Sequence, residues 1–317
     1  MIDILRARKR IARYIRRTPL IESAWLSDLA GARVFLKVES LQRANSFKAR
    51  GAFNAVLARL ERADTAPAQL VTASAGNHGR ALAEAAETFH LPLVVFTPAD
   101  APRTKLDAIR RHGADLRANG RDYDDAEARA KAFAKATGAA FISAYNDADV
   151  IAGAGTVALD IFDEAADVDT LVVPIGGGGL ISGVATAAKA IAADCSIVGV
   201  EVDASCAFQT SVRAGRLVDI VPGPTLADGL GGNPDPDTIT FDVIQRLVDR
   251  IVTVNEEDLA AAIVGLVDSE HLIAEGAGAA ATAALIGRRV EVRDRRVGVV
   301  VSGANIDRGR LAALLQE

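Results

Sequence analysis

The chain has 317 residues, of which half are hydrophobic and 24% charged, and its formal net charge is −5. That length sets a prior of about two domains, and the balance is that of a globular chain with enough apolar material for a core. No basic field is available to recruit nucleic acid, and no apolar run reaches the ~18 residues of a membrane span.

From the N-terminus, residues 2–17 place Ile4, Ile11 and Ile15 on one helical face among many arginines. A transit peptide shares that pattern; Asp3 favours a first helix docked on the domain instead. Short apolar, β-branched runs then predict strands at 34–38, 69–73, 91–96, 140–143, 170–174, 196–201, 250–254 and 297–301. Helical patterns fill the gaps, among them 47–61, 78–89, 103–112, 122–137, 180–193, 255–269 and 277–288. Asn255 can cap the helix after it and Gly138 can end the one before it. Apolar runs separated by helices predict an α/β fold with parallel sheets. Cys195 and Cys206 form no CxxC pair and read as small buried thiols, which fits a reducing cytoplasm. The loop at 222–238 is the longest Gly/Pro-rich stretch and reads as functional. No linker separates the domains, so they are expected to be interleaved.

Three turns at strand ends point to a site. The first, Pro174 to Leu180, carries Gly176, Gly177, Gly178 and Gly179 between a strand and a helix. Four glycines are more than a turn needs; bare amides at a helix N-terminus make a cradle for an anion, phosphate above all. The dinucleotide spacing Gly-x-Gly-x-x-Gly is not met, although Glu201 could imitate its ribose-binding acid. A nicotinamide protein is therefore the weaker reading of this turn. The second turn is Ser74-Ala75-Gly76-Asn77-His78-Gly79. Ser74 and Asn77 suit helix capping, while the free amides suit a substrate carboxylate. His78 reads as a general base or, more commonly for a lone histidine beside a turn, as a hydrogen-bonding scaffold. The third is Ser302-Gly303-Ala304-Asn305. In open α/β sheets ligands gather at such strand ends, so the three turns are expected to face one cleft.

Lys48 lies in Ser46-Phe47-Lys48-Ala49-Arg50-Gly51-Ala52, where a helix begins with Ser46 as its expected cap. A charged lysine in a first helical turn is disfavoured, which lowers its pKa and suits it to attack an aldehyde. Taken alone it reads as a surface lysine. In context the chain resembles a family. Arg17-Thr18-Pro19-Leu20, Leu36 to Gln42, Ser46 to Ala52, Ser74 to Gly79, Gly176 to Gly179, Ala227-Asp228-Gly229, Glu275 to Ala279 and Ser302-Gly303 follow in order. They resemble the fold-type II pyridoxal-phosphate (PLP) enzymes of the serine/threonine dehydratase (ammonia-lyase) and serine racemase group, over nearly the whole chain.

The resemblance implies a two-domain, tryptophan synthase β-like fold. A large PLP-binding domain would comprise 1–50 and 148–317, and a small domain, 51–147, would be inserted in it. Lys48 would hold the cofactor as a Schiff base and later move the Cα proton. Phe47 would lie beside it, Gly176 to Gly179 and Leu180 would hold its phosphate, Asn77 its ring hydroxyl and Ser302 its pyridine nitrogen. Asn146 would sit near the ring or substrate. Ser74, Ala75, Gly76 and His78 would line the substrate carboxylate. The implied reaction is loss of the β-hydroxyl from a small hydroxy-amino acid such as L-threonine or L-serine, giving a 2-oxo acid and ammonia. A hydroxyl at the pyridine nitrogen, unlike a carboxylate, favours such elimination over transamination.

The sequence also departs from that pattern. Ala75 stands where the racemases carry a second serine, which favours elimination over racemisation. At the family's divalent-cation site Glu201 is present, but Ala207 replaces an aspartate and Asp203 is no evident substitute, so a metal is doubtful. Gly231-Gly232-Asn233 and Ala44-Asn45 suggest an altered side-chain pocket. A dehydratase of hydroxyectoine utilisation or of 3-hydroxyaspartate is the alternative, and a non-catalytic PLP- or nucleotide-binding protein the alternative of another class. The chain ends soon after Ser302 without a regulatory extension, which suggests a catabolic, cytoplasmic enzyme, expected as a homodimer, without nucleic-acid or membrane partners.

Overall fold

The computed structural model describes residues 1–62 and 67–316. The chain begins with α1 (Ile2–Ile11), β1 (Leu20–Glu22), α2 (Ala24–Ala30) and β2 (Arg33–Val38). A second set follows: α3 (Lys48–Arg62), β3 (Leu70–Ala73), α4 (Asn77–Thr88), β4 (Leu93–Pro98), α5 (Arg103–Arg110), β5 (Asp115–Gly120), α6 (Tyr123–Thr137) and β6 (Ala140–Phe141). The rest runs through α7 (Ala148–Glu164), β7 (Thr170–Pro174), α8 (Gly179–Ile191), β8 (Ser196–Val202), α9 (Ala207–Ala214) and α10 (Thr240–Leu247). It ends with β9 (Arg250–Val254), α11 (Glu256–Glu270), α12 (Gly276–Ile286), β10 (Arg296–Val301) and α13 (Arg308–Leu314).

Two sheets result. One has six strands in the order β1-β2-β10-β7-β8-β9, the other four in the order β5-β4-β3-β6. Every pairing is parallel except that of β1 with β2. Parallel strands need helical crossovers that cover both faces, which is why β2, β7, β8 and β10 read as near-continuous apolar runs and are buried almost throughout. Strand β10, late in the chain, pairs with β2 near its start, so the six-stranded sheet is built from both chain ends while β3 to β6 lie between them in sequence.

The punctuation expected from sequence is present at two helices. Asn255 accepts from Asp258 N–H in a capping box that opens α11, and Gly138 ends α6 in the left-handed region at φ +76°. Ser46 behaves differently. Its side chain caps nothing among the described residues; its backbone forms an isolated antiparallel bridge with Gly303, and its buried hydroxyl has no partner among the described residues. Two strands and one long helix fall outside the sequence pattern. Strand β1 is three residues long, and β5 (DLRANG) is a polar edge strand held by its ladder to β4 rather than by apolar burial. Helix α7 is enclosed around most of its circumference and so lacks a polar stripe. Among the described residues, no helix is long and apolar enough to cross a membrane.

Candidate active site

The end of β10 meets the turn before α4 and the starts of α3 and α12. Phe47 N–H donates to the Ser302 carbonyl (3.0 Å), which ties the start of α3 to the end of β10. The Glu275 N–H donates to Gly303 O (3.0 Å), and Ser302 N–H to Gly278 O (3.3 Å), which adds the start of α12. The turn before α4 joins through a chain of side chains. Asn77 Nδ2 donates to Glu275 Oε1, and Asn77 Oδ1 accepts from Asn305 Nδ2 at 2.6 Å. Asn305 Nδ2 also donates to Ala44 O (2.8 Å), and its Oδ1 accepts from Arg80.

Lys48 is the first residue of α3. Its Nζ donates to the Ala144 carbonyl at 2.8 Å and lies 5.1 Å from the centre of the Phe47 ring. Desolvation lowers its pKa from the ordinary 10.5 to about 8, opposed by the nearby Glu275 carboxylate. Burial is the largest cause of the lowering. Glu275 is itself 7% exposed, and burial raises its pKa to about 7 although Asn77 donates to it. Behind Lys48, Arg50 fixes the first turn of α3. Its Nε and Nη2 each donate to Glu39 at 2.8 Å, its Nη2 to Asp160 at 2.7 Å and its Nη1 to Thr156 at 3.0 Å.

The glycine turn is joined to Lys48 through Ala144 and Tyr145: Ala144 O accepts from Lys48 and the Tyr145 ring packs on Gly177. Gly178 sits at φ +84° as the N-cap of α8, a conformation glycine adopts without a Cβ penalty. A Cβ there would approach Ile244 to 2.7 Å and Thr240 to 2.9 Å, while one on Gly177 would collide with the Tyr145 ring. One on Gly176 would lie 3.0 Å from Gly229 O, and one on Gly179 would lie 3.0 Å from Tyr145 Cα. The glycines therefore answer to tight packing as well as to any ligand, a demand the sequence did not reveal. Among the described residues, no N–H from Gly176 to Ile181 donates to a protein acceptor. Such a row of free amides at the N-terminus of a 13-residue helix fits a phosphate.

In the turn before α4, Ser74 Oγ accepts from Gly76 N–H at 3.2 Å, and Gly76 is the N-cap without a side-chain cap. Neither Ser74 nor Asn77 caps the helix with its side chain, because Asn77 is committed to Glu275 and Asn305. His78 is 1% exposed and its Nε2 lies 3.2 Å from Ile142 O. Burial, with the Lys48 charge nearby, lowers its pKa to about 3, so the ring is neutral. The main-chain N–H groups of Asn77, His78 and Gly79 remain without protein acceptors among the described residues and fit a carboxylate. Ala75, Gly76 and Asn77 border a cavity of about 390 Å³ that also meets Arg80, Lys105 and Glu275.

Ser302 is 4% exposed and its Oγ donates to Ala277 O at 3.3 Å. Asn146 is held in the 235–239 segment: its Oδ1 accepts from Ile239 N–H (3.0 Å) and its Nδ2 reaches Asp235 and Asp237, each at 3.3 Å. Tyr145, Glu275 and Thr240 are parts of this site that sequence reasoning passed over. Glu275 lay within a quoted motif, and only its placement beside Gly303 shows what it does.

A family profile described as pyridoxal-phosphate dependent enzyme matches residues 11–303. The chain belongs to this family. Among curated proteins, it is 39% identical over 305 residues to the L-threonine ammonia-lyase of Thermotoga maritima, covering 96% of this chain and 75% of that protein. It is 36% identical to the L-threo-3-hydroxyaspartate ammonia-lyase of a Pseudomonas species, covering 99% and 98%. Among solved structures, maize serine racemase superposes with a TM-score of 0.92 at 32% identity, covering 99% and 96%. The fold is that of the fold-type II PLP enzymes.

The residues present fit PLP: an amine of lowered basicity beside an aromatic ring, and a helix-start cradle for a phosphate. A divalent cation fits less well. Both Glu201 oxygens are taken by the amides that open α9, Phe208 N–H (2.8 Å) and Gln209 N–H (2.7 Å), and Ala207 offers no side-chain donor. Among the described residues, no group of three or more His, Cys, Asp or Glu could hold a metal ion.

Proposed function

We propose that this PLP enzyme is a lyase that eliminates the β-hydroxyl of a small hydroxy-amino acid of the L-threonine or L-serine type, yielding a 2-oxo acid and ammonia. The observation that carries it is the Lys48 amine, depressed to about 8 and held by Ala144 O, within a site walled by the free amides of Gly176 to Ile181. The threonine ammonia-lyase relative supports the substrate class.

When bound, the cofactor supplies the electron sink that acidifies the Cα–H bond. Lys48 would hold it covalently, Phe47 would lie against it, and Gly176, Gly177, Gly178, Gly179 and Leu180 would bind its phosphate. Asn77 would meet the ring hydroxyl with the Nδ2 hydrogen that Glu275 leaves free, and Asn146 would stand beside the site. The amides at the start of α4, with Ser74, Ala75, Gly76 and His78, bind and orient the substrate carboxylate. The Lys48 amine takes the Cα proton, its basicity matched to neutral pH. Ser302, whose hydroxyl hydrogen is given to Ala277 O, would offer the pyridine nitrogen a neutral oxygen rather than a carboxylate charge, a setting that favours elimination over transamination. Ala75 puts no proton carrier on the opposite face of Cα, which disfavours racemisation.

The division into 1–50 plus 148–317 and 51–147 is part of this proposal, supported by a sheet built from both chain ends. So are a cytoplasmic location and a homodimer, the latter checked by sedimentation of the cofactor-loaded protein. A 3-hydroxyaspartate substrate is the second reading. The Pseudomonas relative supports it, as does the cavity beyond Ala75–Asn77, where Arg80, Lys105 and Arg111 could meet a second carboxylate. The test is the visible spectrum of the purified protein and of Lys48→Ala, with 2-oxo acid measured from threonine, serine and threo-3-hydroxyaspartate. A yellow band that requires Lys48, with turnover of one of the three, is expected. Wild-type protein that stays colourless with added PLP overturns the assignment.

A further inference from the structure

The segment Ser143–Asn146 links Lys48 to the glycine turn. Its Ala144 carbonyl accepts from Lys48 Nζ at 2.8 Å. The next residue, Tyr145, is 8% exposed, and its ring fills the space where a Cβ on Gly177 would stand. The Tyr145 hydroxyl accepts from Asp235 N–H at 2.9 Å. Burial pushes the pKa of that hydroxyl up, so it remains neutral.

The chain beyond Asp235 returns to the same peptide. Thr238 and Thr240 hydroxyls lie 2.8 Å apart, and Thr240 Oγ1 donates to Gly177 O at 3.0 Å. Gly177 is therefore held on one side by the Tyr145 ring and at its carbonyl by Thr240. In a trans peptide the carbonyl of Gly177 and the N–H of Gly178 point in opposite directions. Pinning the carbonyl fixes where the Gly178 N–H is aimed.

We propose that Tyr145 is a positioning residue. Its ring and hydroxyl set the Gly177–Gly178 peptide of the anion cradle, and the adjoining Ala144 carbonyl sets the Lys48 amine, so the two anchors of the cofactor are registered by one short segment. This rests on the PLP reading above.

The test uses PLP titration of cofactor-stripped protein, the pH dependence of the yellow band, and urea unfolding. Tyr145→Phe keeps the ring and removes the acceptor for Asp235 N–H. A buried donor left unpaired predicts cofactor affinity lower by roughly 5- to 100-fold, with a moved pH midpoint of the band. Tyr145→Leu, which also removes the plate over Gly177, is expected to lose more. Phe96→Leu, in β4 against Phe133, is the control for a merely structural role: it lowers the urea midpoint and leaves affinity and pH midpoint unchanged. Wild-type affinity and pH midpoint in Tyr145→Phe overturn the inference, as does an equal effect in Phe96→Leu. An affinity loss without a moved pH midpoint overturns the joint role. Failure of the wild type to form the band counts against the PLP reading and is seen before any variant is made.

Discussion

Replacing Glu275 by glutamine isolates one buried acid. Its carboxyl is 7% exposed, accepts from Asn77, and has its pKa raised from the ordinary 4.5 to about 7 by desolvation. Between those two values the folded protein keeps a proton that the unfolded chain has released. Stability from this group is therefore fully present below the unfolded value, declines as pH rises through 4.5 to 7, and is gone above that window. A span of about 2.5 pH units at 1.36 kcal/mol each makes this about 3 kcal/mol. Glutamine resembles the protonated acid and has no such dependence. The stability of Glu275→Gln relative to wild type is thus expected to rise by about 3 kcal/mol between pH 4.5 and 8. Glu127, Glu201 and His78 also titrate abnormally, but both proteins share them and they cancel in the difference. Lys48 does not cancel, because Glu275 raises its pKa, and its lower pKa in the variant adds to the rise at the alkaline end. The assay is urea unfolding of cofactor-free protein at the two ends of that range. A difference between variant and wild type that does not change with pH refutes the reasoning. A second readout follows, because Glu275 is the charge that raises the Lys48 pKa: without it the pH dependence of cofactor attachment moves to lower pH.

Arg50→Met leaves Glu39 and Asp160 without their shared guanidinium in a buried setting; a loss of roughly 3–5 kcal/mol is expected from urea unfolding. Gly177→Ala drives a methyl into the Tyr145 ring and is expected to weaken PLP binding more than tenfold while the far-ultraviolet circular dichroism stays native. Because two amides satisfy Glu201 and Ala207 supplies no ligand, EDTA is expected to change neither the melting temperature nor the turnover of the cofactor-loaded protein, checked by thermal scan and 2-oxo acid assay.

The parallel sheets were legible because strands buried on both faces leave long apolar runs, as in β7 and β10. The glycine turn was legible as a place of close backbone approach; the Tyr145, Thr240 and Gly229 contacts that also demand glycine there were not. What sequence could not supply was anything set by contact between distant segments. Strand β5 carries Asp115, Arg117 and Asn119 and is a strand only because β4 offers a ladder. Helix α7 hides its period because its neighbours cover it almost all round. Ser46 has the residue type of a cap, but its backbone pairs with Gly303 instead.

The same distinction holds within the site. Residues that face a ligand carry their chemistry in their type: an amine, free amides, a hydroxyl. Residues that hold those groups carry it only in their placement. Asn77 is engaged at both ends of its amide, by Glu275 and Asn305, and Asn146 by the 235–239 segment, so neither is free to reorient around a ligand. His78 follows the same logic: its desolvated, neutral ring is committed to the Ile142 carbonyl, and the backbone amides at the start of α4 have no protein acceptor among the described residues. On the proposed reading the anionic groups of cofactor and substrate would be left to two helix starts, and burial brings both the Lys48 amine and the neighbouring Glu275 carboxyl toward neutrality.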